Sequence, residues 1–282
     1  MQISLAYSVD ADDAFMFHAL STGELEERDM TFTHQRGDTA WLNRLAEEGG
    51  ADVVAISAGA YPAVAHQYLL LPHGASVGRG FGPAVVSQRP MTLAELAGRR
   101  VAVPGLSTTA FLVLRLMQPE IVPVVVPIAP FSAVFQALER GEVEAALLIH
   151  EGRLLYEQRG YQTVAEQGQW WLAETGLPLP LGVNVIRRSL GPETIARVSE
   201  ILREAIGFAL AHRGALIGAI AGERRGDPAL QDAEVLDRYL AMYANDDTRA
   251  MAPDVRLAID ELFARAEAAG FLPEGCRAEW AP

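Results

Sequence analysis

Apolar positions in the first part of the chain alternate between two spacings. The runs QISLAYS (2–8), MTFTHQ (30–35) and ADVVAIS (51–57) are typical of buried strands, because their apolar residues are continuous or recur at every second position. Between them, DDAFMFHAL (12–20) and TAWLNRLAEE (39–48) carry apolar residues at helical spacing. The order of these segments predicts a βαβαβ unit at the start of the chain.

The same alternation returns after residue 92. Helical and strand patterns follow one another there in TLAELAG, RRVAVPG, TTAFLVLRLM, IVPVVVP, FSAVFQALERG and EAALLIH. Two apolar runs before this unit, QYLLLPHGASVG and GPAVVSQ, predict strands that carry the chain across to it. The pattern therefore predicts a second α/β unit beside the first.

Beyond LPLPLGVNVIRR (177–188) the pattern becomes wholly helical. One of these helical segments places Leu236, Tyr239, Leu240 and Tyr243 on a common face, which we expect to pack on the chain's own first unit. We predict an α/β protein with two lobes and a ligand cleft between them, at the strand ends. The first lobe is expected to combine residues 1–88 with residues 186–282, which include the C-terminal helices. The second lobe is expected to comprise residues 89–185.

Composition and charge narrow the function classes. The 282 residues carry a formal net charge of -13, so the field of the whole chain opposes nucleic-acid or anionic-membrane partners. The single cysteine, Cys276, excludes an intramolecular disulfide and a thiolate metal cluster, which fits a reducing cytoplasm. The first residues lack a secretory leader, and no apolar stretch reaches the ~20 residues that span a bilayer. These features predict a soluble protein.

Polar residues follow four of the predicted strands, where open α/β sheets bind ligands near helix N-termini. The groups at these four strand exits are Ser8 with Asp10, Asp12 and Asp13; Ser57; Ser107 with Thr108 and Thr109; and His150 with Glu151. The aspartates, the serines and the threonines are all good helix caps. The hydroxyl groups also lie beside Gly59 and Gly105, which leave room for a ligand anion, and capping and anion binding remain equally open for them.

The glycine-rich segment GASVGRGFGP (74–83) lacks the strand and helix context of a phosphate fingerprint. It is expected to form a flexible crossing between the lobes, because glycine accepts unusual backbone angles. Arg79 within it is a candidate for bidentate pairing with a substrate carboxylate, although most arginines are simply solvated.

His150 ends an apolar strand, and a lone histidine is either structural or a catalytic base. Burial at that position favours a neutral imidazole that can accept a proton. The chain contains neither G-x-S-x-G nor H-E-x-x-H, so a serine hydrolase and a zinc hydrolase are disfavoured. The other histidines show no ligand spacing, and we predict no bound metal.

Several blocks together resemble the 1,4-dihydroxy-6-naphthoate synthase family of the futalosine route to menaquinone. The most specific are GEVEAALLIHE and TGLPLPLG, and further matches include Asp13-Ala14-Phe15, Gly78-Arg79-Gly80 and VAVPG with Thr108-Thr109-Ala110. The resemblance implies a two-lobed, periplasmic-binding-protein-like fold (type II) and a cytoplasmic enzyme without cofactor. The implied reaction is the lyase-type conversion of cyclic dehypoxanthine futalosine, with His150 as the base. The residues expected around the substrate are Ser8, Asp13, Ser57, Arg79, Ser107, Thr108 and Thr109.

The chain departs from the family at its first strand exit. The usual Ser-Pro-Cys-Pro-Asn-Asp-Thr-Phe motif is replaced by Ser8-Val9-Asp10-Ala11-Asp12-Asp13-Ala14-Phe15. The two additional carboxylates weaken the binding of an anionic ligand unless Arg79 or a helix N-terminus offsets them. A solute-binding protein of the same fold and the sister enzyme of the pathway, chorismate dehydratase, remain alternatives. The oligomeric state is left open.

Overall fold

The computed structural model describes residues 1–25, 30–128, 130, 132–223 and 232–282. The strands are β1 (Gln2–Ser8), β2 (Thr31–Gly37), β3 (Val53–Ser57), β4 (Tyr68–Leu70), β5 (Ser76–Gly78), β6 (Ala84–Ser87), β7 (Arg100–Val103), β8 (Val122–Val125), β9 (Ala145–Leu148), β10 (Gln162–Glu166) and β11 (Leu179–Arg187). The α-helices are α1 (Ala11–Met16), α2 (His18–Thr22), α3 (Thr39–Glu47), α4 (Tyr61–Val64), α5 (Thr109–Met117), α6 (Ser132–Glu139), α7 (Gln167–Thr175), α8 (Pro192–Ala211), α9 (Arg213–Ala221), α10 (Ala233–Tyr243), α11 (Asp246–Arg249) and α12 (Pro253–Ala268). Short 3₁₀-helices span Ala58–Ala60, Leu93–Leu96, His150–Leu154 and Arg188–Leu190.

In the described part of the chain the strands form two sheets. The first has the order β2-β1-β3-β11-β4, with β5 paired to β11, and the second has the order β10-β6-β9-β7-β8. Within each sheet three strands run parallel: β1, β2 and β3 in the first, and β7, β8 and β9 in the second. Their carboxyl ends therefore gather at one edge of each sheet, which is where the predicted polar exits lie.

The hydrophobic pattern predicted most of these elements correctly. The strands of the first unit and the helix at 39–48 are confirmed as β1, β2, β3 and α3, while the helix predicted for 12–20 is interrupted at Phe17 between α1 and α2. The pattern missed β10 and α7, because β10 is an edge strand with no buried residue and α7 has no continuous apolar stripe.

Sheet membership places the two crossings earlier than the predicted lobe boundaries. Strand β6, which begins at Ala84, hydrogen-bonds to β9 and β10 of the second sheet, although the prediction assigned residues up to 88 to the first lobe. Strand β11, which begins at Leu179, pairs with β3 in the first sheet, although the prediction kept residues up to 185 in the second lobe.

Alternating side chains of the first sheet enter two separate cores. Val53 lies in the same core as Val198 and Ile201 of α8, whereas its neighbour Val54 lies in the core that contains Ile259 and other residues of α12. Both faces of the sheet are thus covered by C-terminal helices. The predicted apolar face of α10 is confirmed as well, since its residues are buried against α1 of the first lobe; they are Leu236, Tyr239, Leu240 and Tyr243.

No single described helix has the length and apolar composition to cross a membrane. Helices α8 and α9 satisfy those two criteria only when taken together, and they are bent by 91° where they meet.

The first crossing between the sheets packs tightly against α7. A Cβ atom at Gly168 would lie 2.0 Å from the carbonyl oxygen of Phe81, and one at Gly78 would meet the same oxygen at 2.0 Å. Because the obstacle is backbone, a side chain at either position requires the crossing segment to move. Phe81 also packs edge-on against Tyr243, with the ring centroids 5.5 Å apart.

We expect Gly168→Ala to lower the free energy of unfolding by roughly 1–3 kcal/mol, because the new methyl group overlaps the backbone of Phe81. Gly207→Ala in α8 is the matched control, since it also replaces a helical glycine but has open space around the new atom. That control should be stabilised by roughly 0.5–1 kcal/mol through the loss of glycine's freedom in the unfolded chain. Denaturant titration measures both, and equal shifts in the two variants would contradict the packing described.

Candidate active site

A cavity between the two sheets brings together the polar strand exits. Its internal volume is ≈ 100 Å³, several times the roughly 10–15 Å³ that one water molecule needs on the same measure. Six of the predicted site residues line it: Ser8, Asp13, Ser57, Thr108, Thr109 and His150. Asp10 and Asp12 of the altered motif also line it. Further polar residues line it for which no site role was predicted: Thr39, Ser76, Asn184, Tyr239 and Tyr243.

His150 enters this cavity from a strained backbone position. Strand β9 ends at Leu148, and His150 begins a 3₁₀-helix with a φ of 51°. It is the only non-glycine residue with positive φ in the described ranges. Such a conformation costs on the order of 1–3 kcal/mol and persists only where the surroundings hold it.

The contacts of the imidazole ring reach several elements of the first lobe. Its Nδ1 lies 2.5 Å from Oδ2 of Asp10 and 3.5 Å from the hydroxyl of Tyr239. Its Nε2 lies 3.1 Å from Oγ1 of Thr39, at the start of α3. His150 therefore joins the exit of the second sheet to α1, α3 and α10.

The next residue, Glu151, reinforces this junction. Asp10 occupies the N-cap position of α1 but makes no capping hydrogen bond with its side chain, which faces His150 instead. The N–H of Ala11 donates to Oε1 of Glu151 at 3.1 Å. A carboxylate from the second lobe thus accepts from one of the first-turn N–H groups, which have no carbonyl partner within the helix, and the helix dipole stabilises its charge.

The prediction of a neutral imidazole is wrong for this arrangement of charges. Burial by itself lowers the pKa of His150, but the charge and hydrogen bond of Asp10, together with Asp12 and Glu151, raise that pKa to about 9. The same partnership overcomes the effect of burial on Asp10 and lowers its pKa to about 2. At neutral pH the two residues form an imidazolium–carboxylate pair in which Asp10 is buried and His150 is partly buried.

The other two aspartates of the motif are shifted in the opposite direction. Burial and the negative charge of Asp10 raise the pKa of Asp13 to about 7, although the backbone N–H of Ser8 donates to its Oδ2 at 2.6 Å. Burial and the charges of Asp10 and Asp13 raise the pKa of Asp12 well above its usual value, against the opposing hydrogen bond from Ser76. The motif thus contains one strongly acidic carboxyl group and two whose pKa values are raised.

Hydroxyl groups orient the carboxyl group of Asp12. The Oγ of Ser76 donates to its Oδ2 at 2.6 Å, and the hydroxyl of Tyr239 donates to its Oδ1 at 2.9 Å. Tyr239 belongs to α10, so the C-terminal helical region contributes directly to the cavity. The sequence placed Tyr239 on a buried face, but its hydroxyl had no local signal that could assign it to the site.

The threonine pair at the N-terminus of α5 serves both as a cap and as a wall of the cavity. Thr108 caps the helix by accepting from the N–H of Phe111 at 3.2 Å. The hydroxyl of Thr109 accepts from the N–H of Gly59 at 2.9 Å and donates to the carbonyl of Leu181 at 2.7 Å. What α5 offers to a ligand is therefore its free backbone N–H groups and its dipole, more than its hydroxyls.

Ser57 lies beside this helix and is held by a buried amide. Asn43 accepts from the N–H of Ser57 at 3.0 Å, and its Nδ2 donates to the Oγ of Ser57 at 3.3 Å. The same Nδ2 lies 3.0 Å from the Oγ of Ser107. Ser107, which was predicted to contact the substrate, thus supports Asn43 and does not line the cavity.

Arg79 was predicted to pair with a substrate carboxylate, and the structure places it elsewhere. Its Nε lies 2.6 Å from Asp247, its Nη1 lies 2.8 Å from Asp254, and it does not line the cavity. These two carboxylates hold the crossing segment against α11 and α12. Among the described residues that line the cavity, His150 is accordingly the only one that carries a positive charge.

The side chains of Asp10, Asp12 and His150 could also hold a metal ion. One ligand atom from each lies within 4.8 Å of the others. The sequence predicted no metal, and it gave no indication of this set because 140 residues (150 − 10) separate His150 from Asp10. A cation would have to compete with the proton of His150, since only the neutral imidazole is a ligand.

Comparisons with known proteins agree on the family and on the fold. A family model described as menaquinone biosynthesis matches residues 3–268. The chain is 37% identical over 268 residues to the 1,4-dihydroxy-6-naphtoate synthase of Thermus thermophilus, with 95% of each chain covered. It is 35% identical over 278 residues to the enzyme of the same name from Streptomyces coelicolor, with 96% of this chain and 95% of that one covered.

Solved structures show the same architecture. A crystal structure of a protein from Archaeoglobus fulgidus has a TM-score of 0.87 and 39% identity, covering 96% of this chain and 98% of its own. An alkanesulfonate-binding protein from Xanthomonas axonopodis has a TM-score of 0.70 at 16% identity, covering 99% and 96%. The second likeness is one of fold alone, and it confirms the predicted periplasmic-binding-protein-like fold.

The raised pKa of Asp13 predicts a pH-dependent gain in stability for Asp13→Asn. The unfolded chain ionises Asp13 near pH 4, whereas the folded protein resists ionisation up to about pH 7. Ionised Asp13 therefore destabilises the fold increasingly between these values and fully above them. We expect the variant to melt above the wild type at pH 8, and the difference to shrink towards pH 4.

Thermal unfolding at several pH values measures this difference. The matched control is Asp260→Asn, which changes an exposed carboxylate on α12 and should show no comparable gain at pH 8. A difference between Asp13→Asn and the wild type that stays constant with pH would contradict the electrostatic origin.

Proposed function

The chain belongs to the menaquinone-biosynthesis family, and we propose that it converts cyclic dehypoxanthine futalosine to 1,4-dihydroxy-6-naphthoate in a lyase-type reaction. The observation that supports this most directly is the cluster in which His150 and Asp10 share a buried cavity with two proton-holding aspartates. Such a cluster can both accept and donate protons without a cofactor. The resemblance to the family further leads us to propose a cytoplasmic location.

In the proposed mechanism, His150 is the base. It removes a proton from the sugar-derived part of the substrate, the resulting electron pair allows a fragment to leave, and aromatisation makes the step favourable. Asp10 orients the imidazole and stabilises its protonated form once the proton has been taken. Asp12, whose pKa is raised, can supply a proton to the departing fragment. Carboxyl groups whose pKa values are pushed apart are the usual sign of such a division of roles.

The substrate carboxylate is proposed to bind at the N-terminus of α5. The first-turn N–H groups of this helix have no carbonyl partner within the helix, and its dipole favours an anion. Ser57, which Asn43 holds in place, lies on the same wall. This placement also separates the carboxylate from the ionised Asp10, whose charge opposes it.

A solute-binding protein of the same fold remains the second candidate, because the likeness to the sulfonate-binding protein is strong in fold. The related dehydratase is a third. Turnover distinguishes them: a binding protein releases its ligand unchanged, whereas the dehydratase consumes chorismate.

Loss of the base should reduce the rate strongly. We expect His150→Ala to lower kcat by on the order of 10²–10⁴-fold, as for other general bases. Conversion of cyclic dehypoxanthine futalosine, followed by product mass and aromatic absorbance, measures this effect. His66→Ala, which removes an exposed histidine outside the cavity, should retain the wild-type rate. Full turnover by His150→Ala would exclude His150 from the mechanism.

The pH dependence of the rate tests the state of His150. Since the imidazole must be neutral to accept a proton and its pKa is about 9, kcat/KM should rise with pH up to about 9. Asp10→Asn removes the carboxylate that contributes most to raising this pKa, so its rising limb should lie at lower pH. A rate that falls with pH across this range would instead assign His150 as the proton donor.

A further inference from the structure

Asn184 is a buried amide whose polar atoms have no partner. It lies on β11, is 1% exposed and lines the cavity. Neither its Oδ1 nor its Nδ2 makes a hydrogen bond with any described residue. Leaving such a group unpaired costs about 1–3 kcal/mol, and buried polar groups in proteins are rarely left so without a functional reason.

Asn184 lies on the same side of the first sheet as the hydroxyl group that contacts Asp12. Gly182 lies two residues earlier on β11, and side chains two apart share one side of a strand. Ser76 is the cross-strand partner of Gly182, and a Cβ atom built on Gly182 would lie 3.6 Å from the Cβ of Ser76. Because the Oγ of Ser76 donates to Asp12, Asn184 faces the same side of the sheet as the hydroxyl that orients Asp12.

Gly74 leaves the space that the amide occupies. Its φ is 78°, and a Cβ atom there would lie 2.0 Å from Nδ2 of Asn184. The backbone of Gly74 is held in turn, since its N–H donates to the carbonyl of Thr248 at 2.6 Å. Both the side-chain size and the backbone conformation at this position thus permit the close approach of the amide.

The chemistry around Asn184 restricts what it can bind. An amide offers a donor and an acceptor, and a hydroxyl group satisfies both. A carboxylate could use only the donor, and the ionised carboxylate of Asp10 in the same cavity opposes its charge. The N–H groups that suit a carboxylate lie instead at the start of α5.

We propose that Asn184 is a specificity-determining residue that binds a hydroxyl group on the sugar-derived part of the substrate. This contact orients the bound substrate. Its hydroxyl-bearing part lies near Asn184 and the aspartates Asp10, Asp12 and Asp13, and its carboxylate lies at the N-terminus of α5. This inference rests on the proposed function and adds the direction in which the substrate lies.

The test compares two ligands and one substitution. In a His150→Ala background, in which turnover is expected to be slowed by on the order of 10²–10⁴-fold, Asn184→Leu should bind cyclic dehypoxanthine futalosine about ten-fold more weakly. This is the loss expected when a buried hydrogen-bonding partner is removed. It should bind 1,4-dihydroxy-6-naphthoate as the parent does, because this product lacks the sugar-derived part. Isothermal titration calorimetry measures both dissociation constants.

Thermal unfolding without ligand gives a second readout that a merely structural role would move in the opposite direction. Asn184→Leu should raise Tm, because it replaces an unpaired buried amide by an apolar side chain of similar shape. Asn43→Leu is the matched control and should lower Tm, because the Asn43 amide is fully engaged with Ser57 and Ser107.

Three outcomes would overturn the inference: unchanged affinity for the substrate, an equal loss of affinity for the product, or a lower Tm for Asn184→Leu. Failure of the proposed function looks different, because then the wild-type protein itself neither binds nor converts cyclic dehypoxanthine futalosine. That result would remove this inference along with the function it depends on.

Discussion

The ion pair between His150 and Asp10 is the interaction on which the rest of the site depends. Two opposite charges lie 2.5 Å apart, with Asp10 buried and His150 largely removed from solvent, so each depends on the other for its charge. The pair joins the exit of β9 in the second sheet to the start of α1 beneath the first. It also accounts for a strained backbone at His150, since a positive φ directs the imidazole towards Asp10.

This pair determines how protons are distributed through the cavity. Because Asp10 remains ionised, its charge adds to burial in keeping protons on Asp12 and Asp13. A cavity with three carboxyl groups and a single cation is poorly suited to capturing an anion by charge, in contrast to a site built around arginine. It is better suited to moving protons, with helix α5 left to hold the substrate carboxylate. The same two-lobed fold can thus serve binding or catalysis according to the groups at its strand ends.

Sequence patterns succeeded where local physics decides and failed where distant groups meet. The strand exits at Ser57, Thr108 and His150 could be predicted, because parallel strands direct their carboxyl ends to one edge. The protonation state of His150 could not, because it depends on a carboxylate 140 residues away (150 − 10). Arg79 was misassigned for a related reason: its partners Asp247 and Asp254 lie in the C-terminal helices, which the sequence could not orient.

The sequence by itself determined the alternation of strands and helices, the two-lobed α/β architecture and the family, since these follow from local apolar spacing and from motifs such as GEVEAALLIHE. It also identified the altered aspartate motif. Only the tertiary structure decided what that motif does, because Asp10 reaches His150, Asp12 reaches Tyr239 and Asn184 approaches Gly74 through folding alone. Charge and desolvation act over a few ångströms in space and have no fixed relation to distance along the chain.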